Sequence, residues 1–279
     1  MNSDKSIRRR GVYLLPNLLT SAALFAAFYS IISGIKGQFE AAAIAVVVAG
    51  FLDGLDGRVA RMTNTQSDFG EQYDSLADLI SFGVAPALLA FNWSLSSLGE
   101  ISTLAGKLGW LASFLFVACA ALRLARFNTQ AGVADKRYFQ GLASPAAAGT
   151  LVFTIWFFID NGVAGETVRW LIFFETIILG LLMFTQLRYY SFKVGPDGDK
   201  VPAVWVFIAV LIIVLLALDP PIMGMVFGCA YVLSGLLITL AGRRNWKLKR
   251  ERLHRLDKTD KSGKTDEDGS KDAPDKDHD

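Results

Sequence analysis

The chain alternates long apolar stretches with short clusters of charge. A helix that crosses a membrane takes about 20 mostly apolar residues. Eight stretches reach or approach that length: residues 14–34, 41–61, 73–93, 108–127, 145–159, 168–186, 201–218 and 221–241. The fifth is short, and the second and third hold enough charge to score poorly on hydropathy alone. The alternation of apolar and polar positions in runs of roughly ten that marks an outer-membrane barrel is missing. The pattern predicts an all-α polytopic membrane protein with about eight transmembrane helices and no internal repeat.

Composition sharpens this only through its distribution. The 279 residues are 52% apolar, a little above a soluble domain, but apolar and charged residues are segregated. A soluble globular enzyme is therefore excluded, as is a wholly disordered chain. The net charge of +2 says little, whereas its placement orients the helices. Lys5 with Arg8, Arg9 and Arg10; Arg58 and Arg61; Arg123, Arg126, Lys136 and Arg137; Arg188, Lys193 and Lys200; and the basic run 243–255 fall on one side. The other side receives Lys36, Lys107 and Arg169. Lys and Arg mark cytoplasmic connections, so an even helix count with both termini cytoplasmic is expected, in a bacterial inner membrane. The apolar run from Leu14 exceeds a signal-peptide core, so the first helix is expected to stay as an anchor.

Four regions follow. Residues 1–13 read as a basic cytoplasmic N-terminus and 14–242 as a transmembrane catalytic domain. Residues 243–256 read as a basic segment against anionic headgroups. Residues 257–279 form a charged tail too poor in apolar side chains to fold. Cys119 and Cys229 lie within apolar stretches and read as core residues. The two histidines, His254 and His278, lie in the tail.

Charge inside membrane helices is costly and marks functional sites. The second and third segments concentrate it, in Asp53-Gly-Leu-Asp56-Gly57-Arg-Val-Ala60-Arg61 and Gly70-Glu-Gln-Tyr-Asp74-Ser-Leu-Ala-Asp78. At helical spacing Asp53, Asp56, Gly57 and Ala60 share one face, and Gly70, Asp74 and Asp78 another. The connection 62–69 is short, so the two helices are expected to be antiparallel neighbours with their carboxylates meeting near the cytoplasmic surface. Four carboxylates gather only around cations, and all-oxygen ligation selects Mg²⁺ or Mn²⁺. Two such ions about 4 Å apart serve displacement at phosphorus. Gly57 and Ala60 keep that face free of bulk, and Arg61 can take a phosphate bidentately.

The run Asp-x2-Asp-Gly-x2-Ala-Arg-x8-Gly-x3-Asp-x3-Asp resembles the signature of the CDP-alcohol phosphatidyltransferase family at every fixed position. The resemblance implies a six-helix core with two further helices, and a homodimer. It implies that Asp53, Asp56 and Asp74 bind metal, and that Asp78 both contacts metal and acts as general base. It implies a CDP-diacylglycerol pocket lined by Gly57, Ala60, Arg61, Ser67 and Gly70. Pro16-Asn17-Leu-Leu-Thr20 is similar to the opening of the family's first helix, which adds Asn17 and Thr20 to that pocket.

The signature does not choose the acceptor alcohol. Ser81-Phe-Gly-Val-Ala-Pro86-Ala, Ala121-Leu-Arg123-Leu-Ala-Arg126-Phe-Asn128 and Phe139-Gln-Gly-Leu-Ala-Ser144-Pro145-Ala resemble the membrane-embedded branch that uses L-serine. Arg123 or Arg126 could take the serine carboxylate, with Asn128 and Ser144 as further contacts. The other reading makes both arginines positive-inside anchors. A phosphate-bearing acceptor would ask for more basic residues, and choline for an aromatic cage without arginine. With aromatic residues plentiful, choline remains the alternative acceptor. A secondary transporter with a carboxylate ion site is the alternative of another class, but it predicts paired broken helices in two repeats. A histidine-nucleophile route does not suit histidines confined to the tail. Nucleic acid is not an expected partner. Glu175, in the middle of the sixth segment, has no partner legible in the sequence.

Overall fold

The computed structural model describes residues 2–63, 65, 67–130, 138–185, 188–190, 207, 211, 214–215, 217–235 and 237. Residues Met1–Gly235 form one compact unit, and Leu236–Asp279 a second. The basic segment 243–256 and the tail 257–279 lie outside the described residues. In the first unit the helices are α1 (Asn2–Ile35), α2 (Phe39–Thr63), α3 (Asp68–Leu79), α4 (Ala85–Trp93), α5 (Leu98–Ile101), α6 (Thr103–Gln130), α7 (Ser144–Asp160), α8 (Arg169–Phe184) and α9 (Pro220–Gly235). A π-helical turn, Ile80–Val84, joins α3 to α4 without a break.

Three helical runs among the described residues are long and apolar enough to cross a membrane: Leu15–Ile35, Asp68–Trp93 and Thr103–Thr129. The third predicted segment therefore does not suffer from its charges, because α4 supplies the apolar half of the run. α7 and α9 are shorter apolar helices. The predicted segment 201–218 falls mostly outside the described residues. The bundle is that of a polytopic helical membrane protein. One departure from an all-α chain is a short antiparallel pair, β1 (Tyr138–Gln140) with β2 (Arg188–Tyr190), in register Phe139 to Tyr189. It joins the connections that leave α6 and α8, where backbone groups beyond the helix ends need partners.

α1 begins at Asn2 rather than near Leu14 and continues through Pro16. Asn17 and Thr20 are thus mid-helix residues and not caps. α1 and α2 form a hairpin closed by Gly37, whose φ of +74° suits glycine. Its N–H reaches the Gly34 carbonyl, and the Gln38 N–H that of Ser33. Small side chains let the two backbones come close: Ala27, Ala42, Ala43 and Ala49 have no exposed surface. The Ser30 hydroxyl bonds the Ala42 carbonyl at 2.8 Å across this seam. Exposed Phe25, Phe28 and Phe51 form the outer face of the hairpin.

α3 does not pack on α2 as its short connection suggests. It packs on α1, while the π turn and α4 contact both α1 and α2. The Ser21 and Tyr73 hydroxyls meet at 2.8 Å across the α1–α3 contact. The α2 and α3 backbones make few close contacts, yet Asp53 and Asp56 of α2 reach Asp74 of α3 side chain to side chain, and a cleft opens beside them toward α1. At the far end of the bundle Arg169 donates to the Ser97 carbonyl, and the Ser94 hydroxyl donates to the Gly165 carbonyl. Arg169 also pairs loosely with Glu100 at 3.8 Å. α9 lies close on α7, because a Cβ at Gly228 would meet Thr150 and one at Gly224 would meet the Phe153 ring.

Candidate active site

The end of α2, the start of α3, the end of α6 and the start of α7 lie at one end of the bundle. Carboxylate oxygens of Asp53, Asp56 and Asp74 come within 4.8 Å of one another. At an effective dielectric near 20, each such pair of charges repels by about 3.5 kcal/mol at that separation. No Lys or Arg among the described residues forms an ion pair with any of these aspartates or with Asp78. Asp74 Oδ1 and Asp78 Oδ1 are buried without a hydrogen-bond partner. Clustered, unpaired carboxylates with inward oxygens left over suit a hard divalent cation. Asp78 is not within the three-carboxylate group; its carboxyl contacts that of Asp53. Thr20, 4% exposed, gives its hydroxyl proton to Asp56 Oδ2 at 2.7 Å, with the Pro16 carbonyl 3.1 Å away. That bond fixes one ligand face from α1.

Beside the cluster opens a pocket of about 520 Å³. Every residue expected to bind the donor lines it: Asn17, Thr20, Gly57, Ala60, Arg61, Ser67 and Gly70, together with Asp56 and Asp74. Arg61 Nη1 reaches back over Gly57, where an added Cβ would lie 3.6 Å from it. Ser67 caps α3 by accepting from the Gly70 N–H at 3.1 Å. Gly70 suits a close approach, since a Cβ there would stand 3.1 Å from Ser67 Oγ and 3.3 Å from Asn17 Oδ1 and both side chains would have to give way. Thr65, Asp68, Glu71 and Phe127 also line the pocket. None was singled out from the sequence as a pocket residue, and only the tertiary fold brings Phe127 of α6 to this place.

Of the four residues considered for the acceptor, Arg123 and Ser144 meet, whereas Arg126 and Asn128 turn elsewhere. Arg123, 9% exposed, donates from Nη1 to Ser144 Oγ at 3.0 Å and interacts electrostatically with Asp78. Arg126 instead donates to the Phe184 carbonyl at 3.1 Å and lies over the Phe184 ring. It thus satisfies the carboxyl end of α8. Asn128 donates to Ser75 Oγ at 2.9 Å, tying α6 to α3. Glu175 has a partner after all, accepting from the Thr154 hydroxyl at 2.8 Å.

The family model described as CDP-alcohol phosphatidyltransferase matches residues 13–182. The chain is 39% identical over 230 residues to a Helicobacter pylori protein named CDP-diacylglycerol–serine O-phosphatidyltransferase, covering 81% of this chain and 91% of that one. A Mycobacterium tuberculosis protein of the same name is 36% identical over 200 residues, 68% of this chain and 67% of its own. An archaetidylserine synthase from Methanothermobacter thermautotrophicus is 34% identical over 193 residues, 68% of this chain and 74% of its own.

Proposed function

The chain belongs to the CDP-alcohol phosphatidyltransferase family, and from that premise we propose that it transfers the phosphatidyl group of CDP-diacylglycerol to the hydroxyl of L-serine, giving phosphatidylserine and CMP. The observation that carries this reading is the group of three unpaired carboxylates from two helices beside a nucleotide-sized pocket that holds Arg61. The names of the relatives support serine as the acceptor. So does a buried arginine near Asp78, which choline would not call for.

Asn17, Ser67, Gly57, Ala60 and Gly70 shape the donor pocket, and Arg61 takes a phosphate of the donor. Asp53, Asp56 and Asp74 would hold divalent cation, Mg²⁺ or Mn²⁺, with Asp78 completing the set for a second ion. Bound there, the ions supply charge neutralisation for the pyrophosphate and the departing CMP. Asp78 takes the proton of the serine hydroxyl. The serine oxygen then bonds to the phosphorus that carries diacylglycerol. The bond from that phosphorus to CMP breaks, and CMP leaves with the electron pair. Arg123 and Ser144 face the serine carboxylate, with Arg126 and Asn128 holding α6 in place. The site faces the cytoplasm of a bacterial inner membrane, and the enzyme works as a homodimer.

The test is release of CMP from CDP-diacylglycerol by the purified full-length protein in mixed micelles, with the lipid product identified by mass. Serine-dependent release, lost with EDTA and restored by Mg²⁺ or Mn²⁺, is expected. Release with choline or glycerol 3-phosphate in place of serine would overturn the acceptor assignment. Release with no acceptor at all would overturn the reading.

Gly70→Ala reports on the donor pocket. The new methyl presses on Ser67 Oγ and Asn17 Oδ1 and weakens a cap worth about 1 kcal/mol. The apparent KM for CDP-diacylglycerol should rise by roughly tenfold while that for serine stays unchanged. Parallel substrate titrations check this.

A further inference from the structure

Among the described residues, four buried side-chain atoms have no hydrogen-bond partner: Asp74 Oδ1, Asp78 Oδ1, Ser81 Oγ and Arg123 Nε. The first belongs to the carboxylate group that suits a cation. The other three residues do not line the donor pocket. Ser81 is the least expected of them. It is 1% exposed and stands in the π-helical turn that follows Asp78. A buried helical Ser or Thr commonly satisfies itself on the carbonyl four residues back. Thr150, Thr154 and Thr176 all do so here, whereas Ser81 does not.

The turn that carries Ser81 packs against α1, α2, α6 and α7, in the centre of the bundle. The turn touches α6 at Gly83, where an added Cβ would come within 3.3 Å of Ala120 Cβ; Ser81, two residues earlier, is placed by its spacing from Asp78, whose helix face it shares. Ala120 lies one helical turn before Arg123. Asp78 lies one turn before Ser81 and interacts electrostatically with Arg123. Local π turns are frequent at functional sites, and this one carries a hydroxyl three residues after Asp78.

The three open atoms have a chemical sense together. Ser81 O–H and Arg123 Nε–H are two donors, and Asp78 Oδ1 is one acceptor. A hydroxy amino acid is their complement: its two carboxylate oxygens take the donors, and its hydroxyl proton goes to Asp78. A quaternary-ammonium alcohol leaves both buried donors unmatched, which is costly. We propose that Ser81 binds the acceptor carboxylate beside Arg123 and so selects an amino acid alcohol over one that lacks a carboxylate. The inference rests on the transferase reading above.

The experiment compares L-serine with serinol, the same amino alcohol carrying a hydroxymethyl group in place of the carboxylate. The full-length wild type, Ser81→Ala and Ser81→Cys are assayed for CMP release. Wild type should prefer serine. In the alanine variant the serine-to-serinol ratio of kcat/KM should fall by about ten- to a hundredfold. The KM for CDP-diacylglycerol and the thermal stabilisation by that lipid should not change. The cysteine variant, nearly the same size with a weak donor, should give an intermediate ratio. If the alanine variant no longer responds to CDP-diacylglycerol, the cysteine variant is read by the same ratio. An unchanged ratio, or equal losses with both acceptors, overturns the role of Ser81. A wild type that uses neither acceptor overturns the assignment of serine as acceptor instead.

Discussion

Asp78→Asn should abolish transfer while CDP-diacylglycerol binding persists. The amide keeps the carboxylate's shape and its contact with Asp53 but cannot accept the proton of the incoming hydroxyl. A positioned general base contributes about 10²- to 10⁴-fold, so the residual rate should be below a hundredth of wild type. The donor pocket is lined by α1, α2 and the first turns of α3, together with Phe127, and Asp78 lies outside it. Lipid binding should therefore be close to normal by thermal stabilisation. A variant that kept more than about a tenth of the rate, a loss under about 1.4 kcal/mol, would remove Asp78 from the role of base.

Arg123→Ala should raise the apparent KM for serine by about ten- to a hundredfold, the worth of a hydrogen bond between charged groups. The KM for CDP-diacylglycerol should barely move. Lysine at this position should restore only part of the affinity. It carries the charge without the planar fork that lets one nitrogen hold Ser144 while Nε remains open. Arg126→Ala should behave differently. Its bond to the Phe184 carbonyl and its place over the Phe184 ring tie α6 to α8, so protein yield and thermal stability should fall with both KM values little changed. Substrate titrations on the two alanine and two lysine variants separate these outcomes. Equal shifts for both substrates at Arg123 would return choline to consideration.

The sequence alone named both arginines and could not rank them. Three residues apart at the end of one helix, they differ only in what neighbouring helices put opposite them. α7 presents Ser144 to Arg123, and the end of α8 presents a carbonyl to Arg126. The same holds for the hairpin assumed between α2 and α3. A short connection suggests packed neighbours; the carboxylates of the two helices do meet, but the α3 backbone packs chiefly on α1 and a cleft opens beside the carboxylates. The cleft has room for a nucleotide, whereas two packed helices would have filled it with side chains.

What could be read directly was whatever depends on local periodicity and on the cost of charge in a membrane. α7 and α8 begin and end within two residues of the predicted segments. Asp53, Asp56 and Asp74 converge as their spacing on two helix faces requires. The seven donor residues, which the family resemblance and not the periodicity named, line one pocket. The extension of α1 through Pro16, the π turn under Asp78 and the arrival of Phe127 at the pocket had no local signal. The surroundings of the π turn and the arrival of Phe127 depend on how helices far apart in the chain pack together, and helix periodicity says which face is buried without saying against what.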